Sequence, residues 1–174
     1  PSHNTTVAVA AACSIACAVS AAVAPGATVM DVIRAARFGA VRGEEIGRRE
    51  GRVVPAPSVL RRLDSAIAVA MTAGDDQEAI KNITEVIGVG LPSWEAAPAA
   101  IAFFAAAEGD PWHAISLAAS AGGDSDTIAC MTGSIAGGFR GAAALPQDKV
   151  SFLYEANGFD LSALAADLVR VSAS

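Results

Sequence analysis

Residues 121–141 read AGGDSDTIACMTGSIAGGFRG, a polar turn followed by an apolar run. Two glycines relax the steric limits on the backbone, and an acidic turn before an apolar run is typical of a helix N-terminus. Gly133, Gly137 and Gly141 recur every four residues, so we expect them on one helical face. Because each glycine costs about 1 kcal/mol relative to alanine in a helix, this face should pack closely against a neighbouring helix.

The rest of the chain indicates one helix after another. The predicted helices run from the caps at 2–6 to Val23, from Thr28 to Gly47, from Ser58 to Met71, from the 74–76 turn to Ile87, from Trp94 to Ala107 and from Trp112 to Ala119. Residues 43–57 are the most charged and loop-like segment, and residues 88–92 form a loop. No run alternates polar with β-branched residues, so no strand is predicted. The fold class is all-α, a compact multi-helix bundle.

Composition narrows the function classes. The 174 residues carry 12 basic and 18 acidic side chains, a net charge of −6, which is not the clustered basic footprint of a nucleic-acid-binding protein. Alanine occurs 41 times, and each alanine buries little apolar area. Helices with so few large side chains need many neighbouring helices to bury enough apolar area for a core. We therefore expect these 174 residues not to be the whole folding unit.

The cysteines and the first apolar run indicate the cellular compartment and whether the chain spans a membrane. Cys13, Cys17 and Cys130 do not suggest a disulfide framework, which favours a reducing, cytoplasmic setting. Cys13 and Cys17 share one stripe and are interpreted as buried small side chains. The uncharged run from Val7 to Pro25 is built from small residues and lacks basic or aromatic anchors. We therefore expect a central helix buried on all sides rather than a membrane span.

The turn at 122–127 contains the residues best suited to chemistry. Asp124 and Asp126 stand on either side of Ser125, and Thr127 follows before the apolar helix. In a turn leading into a first helical turn these side chains can converge, and their oxygens are hard ligands suited to Mg²⁺, Ca²⁺ or Mn²⁺. The alternative is a plain N-cap, in which one aspartate caps the helix and the other complements its dipole.

Several segments together resemble one known family. The segment from Gly122 to Ala129, with its following glycines, looks like the signature of the ADP-ribosylglycohydrolases. Ser2-His3-Asn4-Thr5 resembles their mid-chain histidine motif, Gly88 to Pro98 resembles a loop before a long helix, and Asn157 to Leu161 resembles a recurrent C-terminal turn. The resemblance spans nearly the whole chain, and Ser125 stands where threonine is commoner.

The resemblance implies an all-α fold with a binuclear Mg²⁺ or Mn²⁺ site, half of it supplied by Asp124, Asp126 and Thr127. The other half and the catalytic acidic residue lie early in the family's sequence, and nothing here matches them. Asp75-Asp76 looks like a helix cap instead. Residues 1–174 are therefore interpreted as the C-terminal part of a single glycohydrolase domain, inactive without an N-terminal half that is cleaved off or carried on another chain. The alternative is a truncated protein without the full chemistry.

The resemblance also suggests substrate contacts. His3, Trp94, Gly122 and Gly123 would bind an ADP-ribosyl group, with His3 near a phosphate or ribose oxygen and Trp94 stacked on adenine. The alternatives are a capping or exposed histidine at position 3 and ordinary packing for Trp94. His113 is interpreted as a surface residue.

The function expected from the resemblance is metal-dependent hydrolysis of the bond between an ADP-ribosyl, or related ribosyl, group and its acceptor. The substrate would be an ADP-ribosylated molecule or ADP-ribose, with arginine, serine and small-molecule acceptors all left open. Two alternatives stay beside it: an inactive or structural protein of the same fold, since that fold also occurs in a lens-crystallin-like protein, and a hydrolase of another N-riboside.

Overall fold

The computed structural model describes residues 3–172, and within that range it is all-α, as predicted. The elements are α1 (Thr6–Ala22), α2 (Val29–Glu50), α3 (Val59–Thr72), α4 (Asp76–Asn82), a π-helix (Ile83–Ile87), α5 (Ser93–Ala106), α6 (Pro111–Ser120), α7 (Ser125–Arg140), a 3₁₀ turn (Ala142–Ala144), α8 (Gln147–Asn157) and α9 (Leu161–Ser172). The chain divides into two compact units, the first ending at Ala144 and the second starting at Leu145.

The first unit is built around α5. Every residue from Ala96 to Ala105 is buried, and Ile101, Phe103 and Phe104 are fully enclosed. Helices α1, α3, α6 and α7 all pack against it. A helix that is apolar on every side belongs in such a centre, because each of its faces can exclude water.

The prediction that the first helix is buried on all sides is wrong. Helix α1 buries one face, including Ala10, Ser14 and Ala18, while Ala12 and Ala16 on another face are exposed. The exposed residues of this uncharged run are small. Exposing a small apolar side chain to water costs little free energy, so the absence of charge does not require burial. Cys13 and Cys17 are accordingly half-buried rather than enclosed.

Helices α1 and α2 approach each other closely along a glycine stripe. A Cβ atom added at Gly39, Gly43 or Gly47 would lie within 2.2, 2.7 and 2.7 Å, respectively, of the backbone of α1. The Ser14 hydroxyl donates to the carbonyl of Ala36 across this contact, over 3.0 Å. The stripe was not predicted: Gly43 and Gly47 lie in the charged segment that was interpreted as loop-like, and spacing alone does not show which backbone stands opposite Gly39.

The charged segment at 43–57 is helical over its first half. Helix α2 continues to Glu50, beyond the predicted end at Gly47, and only the part from Gly51 onward is loop. Arg48 donates to Glu44 one turn earlier, over 2.6 Å, so the charges form a solvated helix face.

The glycines of α7 do not form the closely packed face that we expected. A Cβ atom at Gly133 would lie 3.2 Å from Ile115, but one at Gly137 would meet no described atom within 4 Å apart from the neighbouring backbone of its own helix. Gly141 lies outside the helix and ends it, with φ +79°. Spacing placed Gly133 and Gly137 correctly within the helix, yet spacing does not indicate whether a neighbour stands opposite.

Helix α2 begins with a capping box that makes stability depend on acidity. Asp31 Oδ2 accepts from the amide of Thr28 over 2.9 Å and from its hydroxyl over 2.6 Å, and Arg34 also pairs with Asp31. The Thr28 hydroxyl, the Thr28 amide and Arg34 together lower the pKa of Asp31 from 3.8 to about 2.

A carboxylate whose pKa is lower in the folded state stabilises the fold above its unfolded pKa of 3.8, and this contribution is lost as pH falls through about 2. In Asp31→Asn, the free energy of unfolding should therefore fall less steeply over this range than in the wild type. Denaturant titrations at several pH values measure this slope, with Thr28→Ala expected to be intermediate. Identical slopes for the wild type and Asp31→Asn would contradict the assignment.

The second unit consists of α8 and α9. Gly158 ends α8 in the left-handed conformation with φ +66°, and the rings of Tyr154 and Phe159 lie 6.5 Å apart. A turn at Asn157–Leu161 was expected from the resemblance to the family. Large apolar side chains of both helices are exposed, Phe152 and Leu168 among them.

None of the described helices combines the length and apolar character needed to cross a membrane. The uncharged run in α1 is too short for this once the helix ends at Ala22.

Candidate metal and substrate site

The Asp124 turn, residues 121–127, leads from α6 into α7. The amide of Asp124 donates to the carbonyl of Val89 over 2.7 Å. Gly123 has φ +62°, and a Cβ there would lie 2.2 Å from the oxygen of Val89. Only glycine permits both this conformation and this approach, so Gly123 fixes the turn against the loop at 88–92.

The carboxylate of Asp124 is not used as an ordinary helix cap. It occupies the N-cap position of α7, yet it accepts no capping hydrogen bond from the described backbone. Its described partner is the hydroxyl of Thr127, which donates to Oδ1 over 3.0 Å. By contrast, Asp75 accepts from the amide of Glu78 and Asp110 from that of His113. The plain N-cap alternative therefore does not describe Asp124.

An open cavity of about 760 Å³ lies beside this turn, and we call it the Asp124 cavity. It is lined by His3, Thr5, Val7, Ala8, Ala11, Ala12, Ile15, Ala16, Val54, Leu91, Pro92, Ser93, Trp94, Ala96, Ala97, Asp124, Thr127 and Met131. Four of the predicted site residues, His3, Trp94, Asp124 and Thr127, are thus brought together. Asp126 is exposed and, like Gly122 and Gly123, does not line the cavity.

Most of the cavity wall is apolar. Ala8, Ala12 and Ala16 form one side along α1, and Met131 of α7 also lines it. Leu91, at the edge, is 83% exposed. The polar groups are gathered at the ends of helices: Thr5 caps α1, while Asp124 and Thr127 stand at the start of α7. Such a wall, with few polar groups at defined points, is typical of ligand cavities and also of surfaces covered by other protein.

The loop at 88–92 forms part of the cavity and is held by residues that the sequence analysis missed. Glu95, in the first turn of α5, accepts from the amide of Gly90 over 3.1 Å. Arg62 of α3 donates to the carbonyls of Val86 and Ile87, over 3.1 and 2.8 Å, where the π-helix ends. In the sequence, the only indication that Glu95 holds this loop is the pair of glycines, Gly88 and Gly90, shortly before it.

The residues at the turn suit a hard divalent ion as part of a coordination shell. Two carboxylates and a hydroxyl are oxygen ligands of the kind that Mg²⁺ and Mn²⁺ prefer. Among residues 3–172, however, no group of three or more histidine, cysteine or acidic side chains lies close enough to hold a metal ion. The donors fit the metal implied by the resemblance, but they fill only part of its coordination.

The other acidic pair has a different role. Asp75 caps α4, as predicted. Asp76 Oδ1 lies 2.9 Å from Nε2 of His113, and both side chains are solvent-exposed. The prediction that His113 is a surface residue is therefore confirmed, and neither aspartate lines the Asp124 cavity.

The cysteines form no disulfide among the described residues. Burial, together with the neighbouring Cys13, raises the pKa of the Cys17 thiol above its ordinary value. The thiol form of Cys17 is thus favoured, which suits a packing role.

Comparison with known proteins identifies the family. The sequence model of the ADP-ribosylglycohydrolases matches residues 1–174. The chain belongs to the ADP-ribosylglycohydrolase family. The match extends over all 174 residues and does not bear out the expectation that they form a C-terminal part of the family domain. Membership in this family agrees with the all-α fold.

One relative among curated proteins is YegU of Escherichia coli K12, which carries the description of an uncharacterized protein. It is 31% identical over 113 residues, which make up 65% of this chain and 34% of YegU. The aligned region thus spans about a third of the length of this relative. No solved structure matches this ADP-ribosylglycohydrolase chain significantly.

Proposed function

We propose that this protein takes part in the metal-dependent hydrolysis of the bond between an ADP-ribosyl, or related ribosyl, group and its acceptor. One observation carries the proposal. In a member of the ADP-ribosylglycohydrolase family, an aspartate that is not used as a helix cap opens into a cavity that also contains His3 and Trp94. Family membership supports the reaction class, and the cavity supports the location.

Asp124, Asp126 and Thr127 would hold one Mg²⁺ or Mn²⁺ ion of a binuclear site. When bound, such an ion orients ribose hydroxyls and lowers the pKa of a bound oxygen. The chain's own contribution is placement: the bond from the Thr127 hydroxyl orients the Asp124 carboxylate, and the Val89 carbonyl fixes the backbone of Asp124.

The rest of the cavity suits the other parts of an ADP-ribosyl group. His3 lies beside the start of α1, where a phosphate or ribose oxygen is favoured. Trp94 offers an aromatic surface for adenine. Gly122 and Gly123 do not line the cavity, so their contribution would be indirect, through the placement of the Asp124 backbone beside it. An ADP-ribosyl group has no large apolar part that would pack against the alanines of α1. This agrees with other protein covering the α1 side of the cavity.

The remaining ligands and the catalytic acidic residue would come from protein outside these 174 residues. The incomplete donor set among residues 3–172 supports this, as does the length of YegU relative to its aligned region. The partner would be an N-terminal half of a family domain, and the assembled enzyme would work in the cytoplasm.

The experiment is a complementation assay. The 174-residue chain alone should release no ADP-ribose from modified arginine or serine peptides in the presence of Mn²⁺. Addition of a recombinant N-terminal half of a family domain should start the release, and Asp124→Asn should prevent it. Asp75→Asn is the control, because that residue lies outside the cavity. Full activity of the chain by itself would contradict the proposal of a partner, and activity of Asp124→Asn equal to the wild type would contradict the metal site.

A further inference from the structure

Two glycines of the loop at 88–92 are fitted around the carboxylate of Glu95. A Cβ added at Gly88 would lie 2.5 Å from Oε2 of Glu95, and one added at Gly90 would lie 2.9 Å from the same atom. The amide of Gly90 donates to that oxygen over 3.1 Å. The carboxylate thus occupies the inside of the loop, and the loop follows its shape.

The residue between these glycines supports the Asp124 turn. Val89 is 93% buried, since 7% of its surface is exposed, and its carbonyl accepts the amide of Asp124 over 2.7 Å. Gly123 brings the turn so close that a Cβ would touch the same carbonyl. Any shift of Val89 therefore moves the backbone of Asp124 as well.

The other end of the loop is also anchored. Arg62 holds the carbonyls of Val86 and Ile87 where the π-helix ends, immediately before Gly88. Between this anchor and Glu95, the loop has little freedom to shift without breaking a hydrogen bond. When the residues that support a functional turn are themselves fixed by hydrogen bonds, the ligand atoms of the turn stay in place.

We infer that Glu95 is a positioning residue for Asp124, acting through Gly90 and Val89. It fixes the loop against which the turn is hydrogen-bonded, and so determines where the Asp124 carboxylate stands at the edge of the cavity. The inference rests on the proposed function insofar as Asp124 is a metal ligand. The hydrogen-bonded chain from Glu95 to Asp124 can be tested without metal.

The test compares three variants of the full chain: Glu95→Ala, Glu95→Gln and Glu78→Ala. Glu78 is the matched control, because its carboxylate also accepts the amide of a preceding loop glycine, Gly74, over 2.7 Å, but at α4. Residue-resolved amide hydrogen exchange reports the Asp124 bond, with the amide of Phe103 in the core as an internal reference for global opening. Binding of Mn²⁺, measured by electron paramagnetic resonance, reports the site.

In Glu95→Ala, the amide of Asp124 should exchange about tenfold faster relative to that of Phe103, and the affinity for Mn²⁺ should fall about threefold or more. Glu95→Gln retains an oxygen acceptor and should restore both, while Glu78→Ala should change neither. Unchanged exchange at Asp124 in Glu95→Ala, or unchanged Mn²⁺ affinity, would overturn the inference. If the wild type binds no Mn²⁺, the proposed metal site fails, and the exchange data still decide whether Glu95 holds the turn.

Discussion

Replacing Gly39 with alanine should lower the free energy of unfolding by about 3 kcal/mol, whereas the same change at Gly137 should leave it equal or raise it by up to about 1 kcal/mol. In an ordinary helical position alanine is more stable than glycine, because glycine loses more backbone entropy on folding. At Gly39 the new methyl would lie 2.2 Å from the carbonyl oxygen of Cys13, and backbone atoms cannot rotate away as a side chain can. Helices α1 and α2 would have to separate.

The pair of variants makes the comparison direct. Both glycines lie inside helices, and the mutation adds the same single carbon at each. Only the surroundings differ, since apart from the neighbouring backbone of α7 no described atom lies within 4 Å of a Cβ at Gly137. Chemical denaturation measures the two free energies, and the loss at Gly39 should appear as a fall in melting temperature of roughly 6–12 °C. Equal stabilities for the two variants would show that α1 and α2 are not in close contact.

Patterns that depend on neighbouring residues in sequence were predicted well. Helices begin at Thr28 and Ser58 as expected, where these residues act as caps, and the turn at 122–127 leads into a helix at Ser125. Capping, turns and helical periodicity are local, so a single sequence contains the information that determines them. The gathering of His3, Trp94, Asp124 and Thr127 around one cavity was expected only through the resemblance to the family.

What lies opposite a helix could not be predicted in the same way. Both α2 and α7 carry glycines at intervals of four, but only α2 uses them to touch another backbone. The alanine-rich sequences of α1 and α5 are similar in character, yet α5 is enclosed on all sides and α1 is open on one. The difference arises from tertiary packing, since bulky Phe103 and Phe104 fill space around α5 and the outer alanines of α1 do not.

Glu95 was missed for a related reason. An acidic residue in the first turn of a helix is ordinary, because it complements the helix dipole. Its further role arises from a loop that precedes it by several residues and from a turn that follows nearly thirty residues later. Such a role becomes visible only when the hydrogen bonds are known.

Replacing both Asp124 and Asp126 with asparagine should reduce the affinity of the chain for Mn²⁺ by more than about tenfold. The wild-type chain itself should bind weakly, because two carboxylates and a hydroxyl fill only part of a coordination shell. The substitution should not unfold α7, since the Asp124 carboxylate caps no described backbone amide and Asp126 is exposed. Loss of metal binding would therefore reflect lost ligands rather than a lost helix.

The matched control is the double variant Asp75→Asn, Asp76→Asn. It removes the same two charges from the start of another helix, where Asp75 accepts from Glu78 and Asp76 lies against His113. Calorimetric titration with Mn²⁺ and Mg²⁺ should give wild-type heats for this control and almost none for the variant at 124 and 126. Thr127→Val tests the third donor: it removes the hydroxyl that orients Asp124 and should weaken binding less than loss of the carboxylates. Equal heats for the wild type and the variant at 124 and 126 would show that this turn is not a metal site, because general attraction to an acidic chain would remain in every variant.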